Sequence, residues 1–369
     1  MHKEKKASDI SSLFYKGQDI TSLFIRVPQS LTVVEKELLK EFYYKNGREF
    51  VENAITKNKI LPFAACVLVS IKCDKDYWEK KHDSFVGKNN EIKSLLDNIF
   101  MNMQSFGCKT LTLTENFGVV LKSNSCIGCF CSGDVDLYAD INEKQNIESC
   151  LNHMNFFCDY RPGRVSEYSK QISMFHNPDI FNEGYWINIL WKTTSRAFLI
   201  QDKYDTRLSK ERLFAKSIEG TNIRVLNETS LMYFCALHIA SGHYYTLTPG
   251  LRLYVDIDRL ARGCNVNWDQ LIEWSDEDDA GIRIAAVMYF SHKLLKTPIP
   301  QKVYQKALKN HRNNRLINYL YNAKTNQIQN KSNKLRRLYI ELASDDMSLF
   351  HSAIRKTNYY INNKSHKIK

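Results

Sequence analysis

The feature that most constrains the fold is a change of hydrophobic period within one chain. Two helical textures enclose a strand-like block. From Val34 to Asn58, Leu38, Leu39, Phe42, Tyr43 and Phe50 recur near 3.6 residues, which predicts an amphipathic helix. A second helix is predicted from Asn90 to Ser105, with Gly107 as its stop. Between Thr110 and Trp191 the texture is that of strands. Thr110–Leu121, Asp134–Ala139, Phe156–Tyr160, Ser166–Met174 and Tyr185–Trp191 are the strand candidates, with a helix over Asn142–Met154. After Leu226 the helical period returns: Asn227 is placed to cap a helix from Glu228, and further helices are predicted over Leu251–Ala261 and Trp268–Trp274. This order predicts an α+β fold with a small mixed sheet. It divides the chain into an N-terminal helical region (1–90), an α/β domain (91–225) and a helical C-terminal domain with a basic tail (226–369).

A hydrophobic fraction of 43% supplies a sizeable core and excludes disorder as a general description. No apolar run approaches the ~18 residues of a membrane span, and no export signal follows the charged N-terminus, so a cytoplasmic protein is expected. Ten cysteines are then read as reduced thiols. The net charge of +12 lies wholly in residues 301–369, which hold 15 Lys and Arg against 3 acids. That tail suits a solvated helical face, or a nucleic acid, nucleotide or membrane surface. Its tyrosines at 304, 319, 321, 339, 359 and 360 suit base stacking or a core.

The chemistry concentrates on Asp134-Val135-Asp136. In a strand, residues two apart face the same way, so the two carboxylates converge. Paired hard oxygens suit Mg²⁺ or Mn²⁺ with substrate phosphates completing the coordination. A loop of small residues, Lys122-Ser123-Asn124-Ser125, lies upstream after an apolar strand end at Val119-Val120-Leu121, and Ser132-Gly133 directly precedes the pair. Small residues let backbone N–H groups approach a phosphate, and Lys122 adds a point charge.

These segments resemble the uncharacterised nucleotidyltransferase family of the polymerase-beta superfamily, which tends to show an "LKG" turn, a spacer and "DiDLL". Ile187-Asn188-Ile189-Leu190-Trp191 resembles its third site strand. Leu237-His238 with His243 resembles its two-histidine helix, and Leu251–Ile257 its "lRwlvDi" helix with Arg252 and Asp256, followed by Trp268-Asp269. The resemblance implies a metal-dependent transfer of a nucleoside monophosphate from an NTP to an unknown hydroxyl or phosphate, with a saccharide or metabolite acceptor in a bacterial pathway. It implies Asp134 and Asp136 as metal ligands, and Lys122, Ser123, Ser125, Ser132 and Gly133 around the nucleotide. His238, His243, Arg252 and Asp256 become accessory residues.

The chain departs from the family where Asn188 replaces an acid, Leu190 a histidine and Ser123 a glycine. Asn188 cannot act as a general base. A weakened nucleotide-binding regulator is therefore the second reading, and a nucleic-acid-binding protein using the basic tail the third. Asp140, Asp179 and Glu183 are nearby acids, with Asp140 at the strand's end. Arg161, Arg164 and Lys170 form a basic hairpin suited to a triphosphate or to solvent.

Cys126, Cys129 and Cys131 form C-x2-C-x-C, but a zinc site needs four ligands and no second pair follows at suitable spacing, although Cys108 or Cys150 are placed to approach in space. His238 and His243 are five apart, whereas residues sharing an α-helical face are three or four apart. The signatures of P-loop, dinucleotide-binding, zincin and α/β-hydrolase proteins are absent from the sequence.

Overall fold

The computed structural model describes residues 14–16, 18–130, 134–158, 172–180, 185–191, 213–246, 251–309, 311–322, 339, 340 and 343. Its architecture is α+β. A two-strand ribbon, β1 (Phe14–Tyr15) and β2 (Gln18–Asp19), leads into a short α1 (Ile20–Phe24). The helix expected over Val34–Asn58 is two helices, α2 (Val33–Asn46) and α3 (Arg48–Lys57). Gly47 divides them at φ 79°, a conformation that costs glycine little. Thr32 opens α2 with a capping box: its hydroxyl accepts from the Glu35 N–H, and the Glu35 carboxylate accepts from the Thr32 N–H.

The apolar run after Ile60 forms α4 (Leu61–Ser70), which buries Ala64, Ala65, Val67 and Leu68. The second predicted helix is much longer than its periodic core. As α5 it runs from Lys75 to Ser105, 31 residues, or about 46 Å at 1.5 Å per residue. It crosses residue 90 without a break and packs on α4.

Thr110–Leu121 is not one strand. Only Thr112–Leu113 pairs, as β3, and Asn116 at φ 49° then turns the chain into α6 (Phe117–Lys122). Phe117, Val119 and Val120 are buried as helical residues, so tertiary burial overrides their β-propensity. Gly118 permits the contact: a Cβ there would lie 3.2 Å from the Leu113 Cβ and 3.3 Å from a Val225 methyl.

The remaining strands are β4 (Asp134–Tyr138), β5 (Phe157–Cys158), β6 (Ile172–Asn177), β7 (Tyr185–Leu190), β8 (Ala215–Ser217) and β9 (Arg224–Leu226), with α7 (Lys144–His153) after β4. They form a seven-stranded mixed sheet in the order β5-β6-β7-β4-β3-β9-β8. Central β4 runs parallel to β7 and antiparallel to β3. Val135 and Leu137 are buried, while Asp134 and Asp136 are half-buried on the opposite face, as period-two alternation requires.

The helical return after Leu226 holds. Asn227 caps α8 (Glu228–Leu237), accepting from the Ser230 N–H at 2.8 Å. A π-helical turn, His238–Gly242, extends α8. Then come α9 (Leu251–Gly263), α10 (Trp268–Glu277) and α11 (Gly281–Leu295). Helix α9 packs against α6, α8 and α11, and its last residue, Gly263, meets Ser123 at the end of α6. The tail begins with α12 (Gln301–Tyr304) and α13 (His311–Asn322), where Leu316 and Ile317 are buried. Most of it beyond residue 322 lies outside the described residues, as does the Arg161–Lys170 hairpin.

Candidate metal centre

Register sets the first contact. In the parallel β4–β7 pair Asp136 stands opposite Asn188, and Asp134 opposite Trp186. The Asn188 amide nitrogen donates to Asp134 Oδ2 at 3.0 Å and to Asp136 Oδ1 at 2.8 Å. Both carboxylates thus converge on one point, and the amide N–H2 group occupies it. The Asn188 Oδ1 is buried and has no hydrogen-bond partner among the described residues. Rotating the amide by half a turn would aim this oxygen at the pair, giving three hard oxygen donors. That set fits Mg²⁺ or Mn²⁺.

A further acid completes the cluster. Glu115, in the turn between β3 and α6, is 4% exposed. Burial holds its carboxyl well above the usual range, and the charges of Asp136, Asp256 and Asp134 add to the effect. Burial likewise pushes Asp256 on α9 up to about 7, opposed by Arg259, Arg252 and a hydrogen bond from the Asn116 backbone. Asn116 also reaches Asp136 Oδ2 through its side-chain amide, at 3.4 Å. The Tyr185 phenol is raised by burial and by Asp134 and Asp136.

His238 and His243 meet despite their five-residue spacing, because a π turn closes i to i+5. The His243 N–H donates to the His238 carbonyl at 3.1 Å, and the two Nε2 atoms are 2.8 Å apart. One ring must donate to the other, so the pair shares a proton. His238 Nε2 also lies 3.4 Å from Glu115 Oε2. Burial first, then the charges of His243 and Arg252, pushes His238 down to about 3. The imidazole is therefore neutral, and burial favours the uncharged form of the Glu115 carboxyl it meets. Arg252 places its charge on Glu115, Asp256 and His238 together.

The model of a family described as uncharacterised nucleotidyltransferase matches residues 78–296, more than half of the chain. The chain belongs to that family. No curated protein and no solved structure matches it. The match takes in Glu115, Asp134, Asp136, Asn188, both histidines, Arg252 and Asp256, and begins within α5.

The serine loop differs from the sequence expectation. It follows a helix rather than a strand, and its N–H groups close that helix. The Ser123 N–H donates to the Val119 carbonyl at 2.9 Å, and that of Ser125 to Val120 at 3.2 Å. Both are thus taken up by helix capping rather than left open as an anion nest. The Ser123 hydroxyl bonds the Val119 carbonyl and Ser125, both at 2.6 Å. Lys122 does not stand free in the loop: its ammonium lies 3.0 Å from Glu228. The loop is held by α9, where a Cβ on Gly263 would lie 2.5 Å from the Ser123 carbonyl oxygen. Beside it opens a cleft of about 300 Å³ lined by Ser123, Asn124, Ser125, Arg26, Arg259 and Arg262 among others. Ser132 and Gly133 lie outside the described residues. Asp140 caps the turn Ile141–Glu143, accepting from the Asn142 N–H at 2.9 Å.

Sequence reasoning missed Glu115, Asn116 and Tyr185. The available signal was a polar Glu-Asn pair interrupting the apolar run from Leu111 to Leu121.

Proposed function

We propose that the chain is a metal-dependent nucleotidyltransferase that moves a nucleoside monophosphate from an NTP to a hydroxyl or phosphate acceptor. The observation that carries this is the convergence of Asp134, Asp136 and Asn188 on one point beside buried Glu115, in a member of a nucleotidyltransferase family. Mg²⁺ or Mn²⁺ bound there would supply charge to the triphosphate and its leaving pyrophosphate. Asp134 and Asp136 would hold the ion, with Asn188 adding a neutral oxygen. Glu115 supplies the acid that Asn188 cannot. In its ionised form Glu115 would act as the base for an attacking hydroxyl, since burial raises its carboxyl and so makes the carboxylate a stronger base. The neutral His238 ring meets that carboxyl at 3.4 Å, and the charge of Arg252 acts on it. Ser123 and Ser125 remain candidate nucleotide contacts by family resemblance alone: the cleft beside them is lined by Cys66, Cys126, Cys129, Arg259 and Arg262 and by none of Glu115, Asp134, Asp136 or Asn188.

Among the described residues no helix is long and apolar enough to cross a membrane. The described cysteines are free thiols, which fits a cytoplasmic setting. The acceptor is left as a saccharide or small metabolite bearing a hydroxyl or phosphate.

The test is a panel of labelled NTPs incubated with Mg²⁺ or Mn²⁺ and candidate acceptors, scored for pyrophosphate release and label transfer. We expect metal-dependent release that Asp134→Asn and Asp136→Asn abolish while remaining folded. Activity unchanged in Asp136→Asn would overturn the reading.

A further inference from the structure

Four side chains from three separate segments converge away from the acid cluster. Cys66 comes from α4, His82 from α5, and Cys126 and Cys129 bracket the 3-10 turn Ile127–Cys129. Their ligand atoms all lie within 4.8 Å of one another, and His82 Nε2 is 3.1 Å from the Cys126 sulfur. A tetrahedral zinc ion with Zn–S bonds of about 2.3 Å and a Zn–N bond of about 2.0 Å needs S–S edges of about 3.8 Å and S–N edges of about 3.5 Å. Small rotamer adjustments bridge that difference. The second pair of ligands that the sequence spacing did not supply, Cys66 and His82, is thus provided by helices remote in the chain, and neither Cys108 nor Cys150 takes part. Cys131 lies outside the described residues.

Cys66, Cys126 and Cys129 also line the cleft beside the serine loop, and the turn that carries two of them is firmly held. The Cys126-x-x-Cys129 turn is tight, with the Cys129 N–H donating to the Cys126 carbonyl at 3.0 Å. Asn89, 2% exposed on α5, pins it by donating to the carbonyls of Ile127 at 2.6 Å and Phe130 at 2.9 Å. At Gly128 a Cβ would lie 2.7 Å from His82 Nε2 and 2.7 Å from a Val86 methyl, so only glycine lets the turn press against the histidine. Three thiolates and a neutral imidazole around Zn²⁺ carry a net charge of −1. Buried Arg259 stands ready to offset it. It donates to the Cys129 carbonyl at 3.0 Å, and its charge acts on Cys66 and Cys129. A redox dithiol would need two sulfurs; it would not need a third sulfur and a histidine directed to the same point.

We propose that Cys66, His82, Cys126 and Cys129 form a structural zinc site that ties α4 and α5 to the segment between the serine loop and β4. Four protein ligands leave no open position, as structural sites require. Cys66 lies before the matched family region of 78–296, so the ion would fasten the N-terminal helices to the nucleotidyltransferase core. This inference does not rest on the proposed activity: the chain can hold zinc whether or not it transfers nucleotides.

The test uses the full chain, purified under reducing conditions without added metal, then analysed for zinc and reconstituted with Co²⁺. We expect about one zinc per chain, and intense visible bands of tetrahedral cobalt with a thiolate-to-cobalt charge-transfer band. Cys66→Ser and Cys129→Ser should each lose most of the bound zinc. His82→Cys should retain it with a cobalt spectrum shifted toward an all-sulfur site, and Asp136→Asn should retain it unchanged. A parent chain that takes up neither zinc nor cobalt, an octahedral cobalt spectrum, or a disulfide among these cysteines that persists in reductant would overturn the proposal. So would unchanged zinc in Cys66→Ser. If the serine variants do not fold, the parent's cobalt spectrum and His82→Cys decide the matter.

Discussion

Asn188→Asp separates the two roles that position combines. In the metal-free protein the Asn188 amide donates to Asp134 at 3.0 Å and to Asp136 at 2.8 Å. Hydrogen bonds to charged groups contribute about 1.5–3 kcal/mol each, so losing both costs about 3–6 kcal/mol. The aspartate also sets a third carboxylate against two others on the sheet face, which adds repulsion. At roughly 2–4 °C per kcal/mol for a unit of 150–250 residues, the smaller figure lowers Tm by roughly 6–12 °C in metal-free buffer. With Mn²⁺ the sign reverses. A ligand that binds only the native state at 100 times its Kd stabilises by about 2.7 kcal/mol, and three carboxylates bind a divalent ion more tightly than two and an amide. Thermal melts with and without Mn²⁺ should therefore show a larger metal-induced gain in Asn188→Asp than in the parent. Asn188→Leu, which removes donor and acceptor together, should be destabilised and not rescued. Melts of Asn188→Asp that coincide with the parent in metal-free buffer, or that gain no more from Mn²⁺, would refute the reasoning.

Two further outcomes follow from the same neighbourhood. Asp256 is raised to about 7 from 3.8, so its native form binds a proton more tightly than the unfolded chain, and this gap corresponds to about 4 kcal/mol. Stability from this group is present below the unfolded value and is lost as pH rises through about 7. Asp256→Asn should then be the more stable protein at mildly alkaline pH by urea denaturation, with the difference vanishing in acid; a variant equally unstable at every pH would contradict it. Gly263→Ala puts a Cβ 2.5 Å from the Ser123 carbonyl oxygen, which should cost about 1–3 kcal/mol as the serine loop shifts. Urea midpoints equal to the parent's would show that α9 does not hold that loop.

Period-two alternation made β4 legible, because Val135 and Leu137 could only face the core if Asp134 and Asp136 faced away. The cap at Asn227 was legible for an equally local reason. Val119-Val120-Leu121 misled because its residues favour strands in isolation, whereas Val119 and Val120 are buried in a helix whose Gly118 sits against Leu113 and Val225. His238 and His243 looked too far apart because an α-helix was assumed; a π turn makes a five-residue spacing a face-sharing one. Glu115 was hidden because its importance comes from the turn that buries it between β4 and α9, not from any spacing to Asp134. The same holds for Cys66 and His82, which reach Cys126 and Cys129 only once α4 and α5 pack on that turn.

The most direct test of the central claim is a Mn²⁺ titration followed by electron paramagnetic resonance, with and without a non-hydrolysable NTP, on the parent and on Asp136→Asn. Mn²⁺ should bind the parent at a site that the nucleotide tightens, since its phosphates complete the coordination sphere. Asp136→Asn should lose that site while melting cooperatively. Equal Mn²⁺ binding in both proteins, with no response to nucleotide in either, would mean that Asp134 and Asp136 are acids of the sheet surface and not a metal centre.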